Sequence, residues 1–410
     1  MGLIKDARTA SRVAGNYIRA RANRRKLARA LEEQHELAPH SFRVGVYFAD
    51  GDVNLYQVRQ WYKPLAELAK TEPVVFLTRN ATSALAMLKE SPVPVAYVRT
   101  VIDLEEFIES QDLHVILYVN QNARNFQMMR YGQRWHVFIN HGESDKMYMT
   151  TNQFKAYDYS LIAGDAARER LGRVLWDYDF DKRAIPIGRP QADHYTGTIP
   201  FELDDREVVL YAPTWEGDRP GAAYGSIDTH GVALVEALIA TGRHRVIYRP
   251  HPRSGVVNFE YGEANEQIKS LLKRANAHDR SARHIIDEGA ELGWQLSVAD
   301  MAIVDISAMV YDRLASGKPL MITRPVNPEA EIDEGGYLSD CEWLTAEDSG
   351  KVVELIDALE HDPEAQARLN KWCTHYFGDI TPGVPTQRFH SAIEKLMAEW
   401  ERNAKLHAND

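Results

Sequence analysis

Two histidines, each at the carboxyl end of a predicted strand, are the residues of this sequence best suited to catalysis. His141 lies in the run INHGESDK and His251 in YRPHPRSG. Open α/β sheets carry their chemistry at the carboxyl ends of strands. A neutral imidazole placed there can accept the proton of an attacking hydroxyl, so His141 is the candidate base. A loop histidine hydrogen-bonded for structural reasons is the alternative.

Cations cluster around the second histidine. Arg249, His251 and Arg253 fall within five residues at the end of one predicted strand. Three potential positive charges at one place suit the diphosphate of a leaving group. An exposed basic turn that binds no ligand is the alternative.

A strand, a polar turn and a helix follow one another in the segment 300–319. Backbone N–H groups at a helix start attract phosphate oxygens. Asp305 and Ser307 in the turn are therefore predicted to contact the phosphates of a donor substrate, the molecule that gives up the transferred group. Ser307 is also the predicted N-cap, and capping alone would explain it. Two further residues are candidates for binding the donor: Thr214, which follows another strand, and Lys318, which follows the helix. Lys318 also fits as a partner of the helix dipole.

The residues around His141 are predicted to lie on the acceptor side, and they are Asn140, Gly142 and Lys146. A base on one side and cations on the other indicate phosphoryl transfer. Acidic residues are common, but no His/Asp spacing isolates a metal site, so no metal ligand and no resident cofactor are predicted. Whether a divalent metal takes part is left open.

The elements that must position these residues alternate between short apolar runs and segments of helical periodicity. Such βαβα alternation predicts an α/β fold with parallel sheets covered by helices on both faces. A stretch rich in proline and glycine divides it into two units. The predicted parts are a basic helix at 1–40, domains at 41–190 and 207–380 joined by a linker at 191–206, and a helix at 381–410.

Some local predictions are more specific. One helix is predicted over Val53–Lys70, irregular chain over the run AIPIGRPQADHY at 184–195, and the last clear strand in PLMITRP at 319–325. The turn after the first strand is ADGD rather than GxGxxG, which argues against a dinucleotide at that turn.

Composition sets the broad class. The 410 residues are 44% hydrophobic and 26% charged, which is typical of a globular protein large enough for two domains. The two cysteines indicate no disulfide framework, and a reducing cytoplasmic setting fits best. No apolar run approaches the roughly 20 residues that cross a bilayer, and the N-terminus lacks the apolar core of a secretory signal.

The charge is distributed unevenly. Lys5–Arg29 contains nine basic residues and one acid, which leaves about −19 for the rest of the chain. Residues 3–37 are predicted to form a basic helix that binds an anionic membrane surface, with a solvated helix packed on the body as the alternative. The acidic body argues against a nucleic-acid partner.

Several motifs together resemble the CDP-glycerol glycerophosphotransferase family of teichoic acid and capsule polymerases. In chain order they are Asn140-His141-Gly142 with Lys146, GRPQAD at 188–193, YAPTWEG at 211–217, RPHP at 249–252, the segment 305–312, and Gly317-Lys318-Pro319. The resemblance covers about residues 42–395. It implies two Rossmann-like domains facing across a cleft (the GT-B arrangement), a CDP-linked polyol donor and peripheral attachment to the inner face of the plasma membrane. The family's motif histidines would fall on His141 and His251, and its phosphate-holding hydroxyl on Ser307.

The resulting hypothesis is a phosphotransferase that moves a polyol phosphate to a hydroxyl of a polymer or lipid-linked acceptor and releases CMP. Glycerol, ribitol or a sugar phosphate could be carried. Two alternatives stay open. One is a GT-B glycosyltransferase that uses a nucleotide sugar. The other is a catalytically weak component that binds the polymer, because Ala308 and Asn140 stand where the family commonly has a second hydroxyl and an aromatic residue.

Overall fold

The structure is a computed structural model, and it describes residues 23, 25–143, 151–289, 291–332 and 335–408. Residues 25–33 form a helix, α1, in which Leu27 is buried. Just after α1, the Gln34 amide donates to the carbonyl oxygen of Val95 at 2.9 Å, which ties this segment to the first domain. Most of the basic helix predicted at 3–37 lies outside the described residues, as does Lys146.

The first sheet contains seven parallel strands. They are β1 Val44–Phe48, β2 Val74–Thr78, β3 Val95–Tyr97, β4 Val115–Tyr118, β5 Trp135–Phe138, β6 Tyr159–Ile162 and β7 Ala184–Pro186. Their order across the sheet is β3-β2-β1-β4-β5-β6-β7. The central strands are apolar at consecutive positions because both faces of the sheet are covered.

Helices connect these strands. They are α2 Leu55–Arg59, α3 Tyr62–Leu68, α4 Ala81–Glu90, α5 Val101–Ser110, α6 Asn125–Met129, α7 Asp165–Gly172 and α8 Phe180–Arg183. Local sequence sets the starts of two of them. Asn80 accepts from the backbone N–H groups of Thr82 and Ser83 at the start of α4, and Thr100 forms a capping box with Asp103 at the start of α5.

The prediction of one helix over Val53–Lys70 is wrong. The chain instead forms a short 3₁₀ turn, then α2, then α3, with a break at Trp61. The Trp61 ring is buried in the core of the first domain, and its indole N–H donates to the carbonyl oxygen of Asn140 at 2.5 Å.

The run AIPIGRPQADHY also contains an element that the prediction left irregular. Residues Ala184–Pro186 form β7, which pairs with β6 at the edge of the sheet. A strand of three residues is too short to show a clear period, and proline is tolerated in a strand at a sheet edge.

The second sheet contains six parallel strands. They are β8 Glu207–Ala212, β9 His244–Tyr248, β10 Ile285–Ile286, β11 Met301–Val304, β12 Leu320–Thr323 and β13 Trp343–Leu344, in the order β10-β9-β8-β11-β12-β13. The strand predicted in PLMITRP is β12. One more strand, β13, comes later in the chain and is only two residues long.

The helices of the second half are α9 Val232–Ala240, α10 Phe259–His278, α11 Trp294–Val298, α12 Ala308–Leu314, α13 Val352–Glu360, α14 Pro363–Phe377 and α15 Val384–Leu406. A π-helical turn, Ile227–Gly231, leads into α9. Within the described ranges, none of the helices combines the length and the apolarity that a membrane span requires.

The last helix, α15, returns to the first domain. Phe389, Ile393 and Leu396 are buried in the same core as the strands β1, β4 and β5. The indole N–H of Trp135 donates to the carbonyl oxygen of Leu396 at 3.1 Å. Farther along, the Trp400 ring stacks on His114 with 3.4 Å between ring centroids. Residues distant in sequence therefore complete the first core.

The two sheets share one strand order, apart from the extra edge strand β7. That order is the one found in Rossmann domains. Arg189, which follows β7, forms a buried ion pair with Asp312 of α12 in the second domain. The chain just beyond the carboxyl end of β7 therefore contacts α12 of the second domain. The predicted α/β fold of two Rossmann-like domains in the GT-B arrangement is confirmed.

Candidate functional site

His141 lies on a tight turn immediately beyond β5. Asn140 adopts a left-handed conformation with φ 55°, and its side chain bridges the turn. Asn140 Oδ1 accepts from the His141 backbone N–H at 2.8 Å, while Asn140 Nδ2 donates to the Gly142 carbonyl oxygen at 2.7 Å. Asparagine tolerates this backbone region better than most residues, so Asn140 shapes the turn that presents His141.

The imidazole of His141 has a defined tautomer. Its Nδ1 is 2.9 Å from the carbonyl oxygen of Val119. A carbonyl oxygen only accepts, so Nδ1 carries the proton and Nε2 carries the lone pair. Burial lowers the pKa of His141, and the positive charge of Arg189 adds to that effect, against the opposing hydrogen bond to Val119. His141 is therefore neutral at physiological pH and can accept a proton at Nε2.

Arg189 connects His141 to the second domain. A Cβ added to Gly142 would stand 3.8 Å from Arg189 Nη1, so the His141 turn and the Arg189 guanidinium are neighbours. Arg189 Nη2 donates to Asp312 Oδ1, and Tyr195 Oη is 3.2 Å from the same carboxylate oxygen. Burial opposes the charge of Arg189, but the carboxylate of Asp312 holds the pKa of Arg189 above its ordinary value.

A small cavity adjoins the His141 turn. Its volume is about 50 Å³, and Gly142, Glu143, Arg170 and Arg189 contribute to its lining. A cavity of this size holds a few water molecules and is too small for a nucleotide. Glu143 and Arg170 form a buried ion pair beside it.

Asp305 is a structural centre of the second domain rather than a phosphate contact. Its side chain is completely buried. One carboxylate oxygen accepts from the backbone N–H groups of Thr214 and Ser226 at 2.7 and 3.2 Å, and the other accepts from the Thr323 hydroxyl at 2.5 Å. Burial raises the pKa of Asp305 to about 6. Asp305 thus ties together the carboxyl ends of β8, β11 and β12, and its predicted contact with phosphate is withdrawn.

Ser307 and Thr214 remain at the cleft edge. Ser307 is the N-cap of α12, and its hydroxyl accepts from the Met309 backbone N–H at 3.2 Å. Both side chains are partly exposed. The carbonyl oxygen of Thr214 accepts from the Tyr261 hydroxyl at 2.6 Å, which fixes the turn after β8. Capping by Ser307 is therefore observed, and phosphate binding by it stays a prediction.

The cations predicted after β9 lie at the same edge but differ in their contacts. The Arg249 guanidinium pairs with Asp287 and donates to the Gly289 carbonyl oxygen at 3.1 Å. The Arg253 guanidinium stacks on the Trp215 ring, 3.7 Å from its centroid. Arg249 is thus held in place by a carboxylate, whereas the exposed Arg253 keeps its charge on an aromatic platform.

His251 has the opposite tautomer to His141. Its Nδ1 accepts from the Arg253 backbone N–H at 3.1 Å, so the ring proton of the neutral form lies on Nε2. His251 is exposed at the carboxyl edge of the second sheet. β9 is separated from β11 by one strand, which places their ends roughly 10 Å apart. That span suits two ends of one diphosphate-linked ligand.

Lys318 is not part of this edge. It precedes β12, so it lies at the amino edge of the sheet, and its ammonium donates to the Ser297 carbonyl oxygen at 2.5 Å. The helix α12 and the full length of a strand separate it from Ser307. The sequence placed it near the phosphates because it closely follows the helix, but helix and strand run in opposite directions. Its predicted role in phosphate binding is therefore withdrawn.

Sequence reasoning missed two groups of polar residues at the cleft. The first is the bridging pair of Arg189 and Asp312. The second lies beyond β1 and β4, where Asp50 meets Asn120 and Asn122. The sequence contains a signal for the second group, because polar residues follow the ends of both strands. The carboxyl ends of adjacent parallel strands lie at the same edge of a sheet. In the described part of the chain, no three His, Cys, Asp or Glu side chains converge as metal ligands would.

No protein-family model and no curated protein sequence matches this chain. Solved structures share its fold. A structure of the wall teichoic acid polymerase TagF soaked with CDPG is 15% identical, with a TM-score of 0.56 over 87% of this chain and 89% of that chain. Another TagF structure is 14% identical, with a TM-score of 0.54 over 93% and 97%. A UDP-N-acetylglucosamine 2-epimerase is 11% identical, with a TM-score of 0.56 over 88% and 97%.

Proposed function

We propose that this protein is a transferase that moves a polyol phosphate, with glycerol phosphate as the first candidate, from a CDP-linked donor to an acceptor hydroxyl. The acceptor oxygen attacks the phosphorus distal to the nucleotide. The bond from that phosphorus to the CMP phosphate breaks, CMP leaves, and the proton of the acceptor hydroxyl passes to His141. The product is a phosphodiester in a cell-surface polymer of the teichoic acid type.

The observation that carries the proposal is the state of His141. A general base must be unprotonated and must have its lone pair on an accessible nitrogen. The hydrogen bond to Val119 puts the proton on Nδ1, and burial lowers the pKa, so Nε2 is ready to accept.

The second domain supports the leaving group. Phosphoryl transfer depends mainly on positioning and on neutralising the developing negative charge. His251 can offer Nε2–H, Arg253 offers a guanidinium, and Arg249 adds a positive charge held by Asp287. Ser307 and Thr214 stand at the ends of adjacent strands of the same sheet. We assign these residues to the donor, and Asn140, Gly142 and Lys146 to the acceptor side.

The identity of the donor rests on the motifs. Their resemblance to the CDP-glycerol glycerophosphotransferase family supports a CDP-linked polyol, and the shared fold with TagF is consistent with it. CDP-linked donors of glycerol, ribitol and sugar phosphates share the nucleotide and differ in the transferred group. The nucleotide and the transferred group can therefore be tested separately.

Calorimetric titration with CDP-glycerol, CDP-ribitol and UDP-N-acetylglucosamine tests the donor directly. We expect binding of a CDP-polyol, followed by release of CMP and a phosphodiester signal in ³¹P NMR when an acceptor is added. Heat with none of the nucleotides would contradict the proposal and favour a polymer-binding component without transferase activity.

A glycosyltransferase that uses a nucleotide sugar is the second candidate. The observation in its favour is the equally close fold of a UDP-N-acetylglucosamine 2-epimerase. The cationic edge would bind either diphosphate. The products separate the two reactions, because a glycosyltransferase yields a glycoside and a nucleoside diphosphate, whereas the proposed reaction yields a phosphodiester and CMP.

We also propose that the basic segment Lys5–Arg29 attaches the protein to an anionic membrane surface on the cytoplasmic side, where a lipid-linked acceptor would be met. Each basic residue near such a surface contributes about 1 kcal/mol. In liposome sedimentation, binding should require anionic lipid and should weaken as salt is added. Equal and weak binding to neutral and anionic liposomes would contradict this.

A further inference from the structure

A connected set of polar side chains lies beyond β1 and β4, next to His141. Asn120 Nδ2 donates to Asp50 Oδ2 at 2.9 Å and to Gln57 Oε1 at 2.8 Å. Asn122 Nδ2 donates to Asp50 Oδ1 at 2.7 Å. We call Asp50, Gln57, Asn120 and Asn122 the amide–carboxylate cluster. Its members come from two strand ends and one helix, so the fold itself assembles it.

The backbone under the cluster is fixed. The carbonyl oxygen of Asn120 accepts from the Asn125 amide at 2.6 Å, and Asn125 is completely buried. The carbonyl oxygen of Asp50 accepts from the Ser83 hydroxyl at 2.7 Å. The Asn122 side chain is oriented as well, since its Oδ1 accepts from the Arg124 backbone N–H at 2.8 Å. Recognition groups held this firmly lose little entropy when a ligand binds.

The position of the cluster is where such a fold binds ligands. In the first sheet, the strand order reverses between β1 and β4. Open α/β sheets bind ligands in the crevice outside the carboxyl ends of the two strands at this switch point. Asp50 follows β1 and Asn120 follows β4 after one intervening residue. At the equivalent point of the second sheet, between β8 and β11, stand Thr214 and Ser307, which we assign to the donor.

The cluster is also continuous with the candidate base. Val119, whose carbonyl oxygen fixes His141, immediately precedes Asn120. The Tyr56 ring contacts the His141 ring edge-on, with 5.8 Å between centroids, and is 51% exposed. The Gln57 amide donates to the Tyr56 hydroxyl oxygen at 3.2 Å. An exposed aromatic face, an amide and a carboxylate therefore line one path that ends at His141.

The chemistry of this path fits a neutral ligand rich in hydroxyl groups. An ionised carboxylate has about four acceptor positions, and the contacts from Asn120 and Asn122 use two of them on Asp50. Hydroxyl groups can donate to the remaining positions, whereas a phosphate would be repelled by the same charge. A partly apolar aromatic face suits the C–H side of a polyol or sugar unit.

We propose that the amide–carboxylate cluster and Tyr56 bind the terminal hydroxylated unit of the acceptor, a polyol or sugar with vicinal hydroxyl groups, and direct one hydroxyl to His141. The proposal rests on the proposed transferase function in that it names the acceptor. It makes Asp50 and Tyr56 positioning and specificity residues, and it leaves proton transfer to His141.

Direct binding tests this without any nucleotide donor. Ribitol, glycerol and methyl glucoside carry vicinal hydroxyls, whereas 1,5-pentanediol has the chain length of ribitol without them. In saturation-transfer NMR with the full-length protein, we expect binding of at least one of the first three and none of the pentanediol. Asp50→Asn should weaken that binding about tenfold or more, because a hydrogen bond to a charged group is lost.

Two further variants complete the test. Tyr56→Leu removes an exposed ring, so it should fold normally and weaken binding about three- to tenfold. Asp52→Asn makes the same chemical change as Asp50→Asn at an exposed position two residues away, and it should bind like the wild type. Thermal unfolding of each variant verifies that it is folded.

The outcomes are distinct. Failure of all three hydroxylated probes to bind the wild type, or wild-type binding by both Asp50→Asn and Tyr56→Leu, would overturn the proposal. Selective binding of ribitol in a protein that transfers nothing from any CDP-polyol would instead remove the proposed function and leave the cluster as a polyol or sugar site.

Discussion

One hydrogen bond, to the carbonyl oxygen of Val119, determines which nitrogen of His141 can accept a proton. We expect His141→Ala to lower turnover by about 10²- to 10⁴-fold, the usual contribution of a general base. Donor affinity should stay within a few-fold of wild type, because His141 lies on the first domain and the proposed donor residues lie on the second. Turnover with CDP-glycerol and calorimetric affinity measure the two effects.

His35→Ala is the matched control, since His35 is exposed and distant in sequence from the cleft residues. Its turnover should equal that of the wild type. Retention of turnover within a few-fold in His141→Ala would exclude His141 as the base.

The pKa of His141 predicts a direction of pH dependence. Because burial lowers that pKa below 6.5, His141 stays neutral at pH 7 and becomes protonated only in more acidic solution. Activity measured as kcat/KM should therefore be constant near neutrality and fall as the pH drops through a midpoint below 6.5. A midpoint clearly above 6.5 would contradict this assignment.

Asp305, with a pKa raised to about 6, titrates in the same range and must be separated from His141. The residual activity of His141→Gln should lose the part of the acidic limb that belongs to His141. Any fall of activity at acidic pH that persists in the variant is then attributed to Asp305. Protonation of Asp305 would loosen the contact between β8, β11 and β12.

At the scale of single residues, strand ends were predictable and side-chain environments were not. The sequence located His141, His251 and Ser307 because apolar runs followed by polar turns are visible in it. It could not show that Asp305 turns inward to three donors or that Lys318 lies at the opposite edge. Both outcomes depend on which elements pack together, and pattern alone does not contain that information.

Among the elements, α12 contributes a buried ion pair to the contact between the domains, and α14 adds to that contact by packing on α7. Asp312→Ala would leave the Arg189 guanidinium buried without its carboxylate, which typically destabilises a protein by about 3 to 5 kcal/mol. Urea unfolding measures this loss. Asp181→Ala also removes an arginine partner, Arg168, but from an exposed pair, and it should change stability by less than about 1 kcal/mol.

If Asp312→Ala lowered the free energy of unfolding by less than about 1 kcal/mol, Arg189 would have to contact solvent or another partner, and this pair would not hold the domains together.

Helices and strands could be recognised from the sequence where their hydrophobic pattern extends over several residues. Helix α14, Pro363–Phe377, lies in a long amphipathic segment, and strand β2, Val74–Thr78, in a continuous apolar run, so both are visible in the sequence. The elements that were predicted incorrectly are short or interrupted. The strand β7 has three residues, and the segment after β1 breaks at Trp61 because that side chain packs into the core. Tertiary contacts decided both.

At the scale of the whole molecule, α15 makes the first domain depend on the end of the chain. Phe389→Ala should destabilise the first domain by about 3 to 5 kcal/mol, because the ring is completely buried against Trp61. Leu406→Ala, at an exposed position of the same helix, should change stability by less than about 0.5 kcal/mol. Unfolding followed by tryptophan fluorescence compares them. Similar effects of the two substitutions would show that α15 does not contribute to the core.

The alternation of strands and helices predicted two α/β domains, and the strand orders agree with that. The packing of α15 on the first domain was not predictable, since an amphipathic helix does not specify which of two domains it will cover.

This return of α15 also bears on how the chain is made. A ribosome finishes β7 long before it reaches Phe389, and the roughly 200 residues in between take about 10 to 40 seconds to translate. Throughout that interval the nascent first domain lacks the α15 side chains of its core and exposes the apolar residues that they cover. We therefore expect the growing polypeptide to depend on chaperones until translation has passed the last helix.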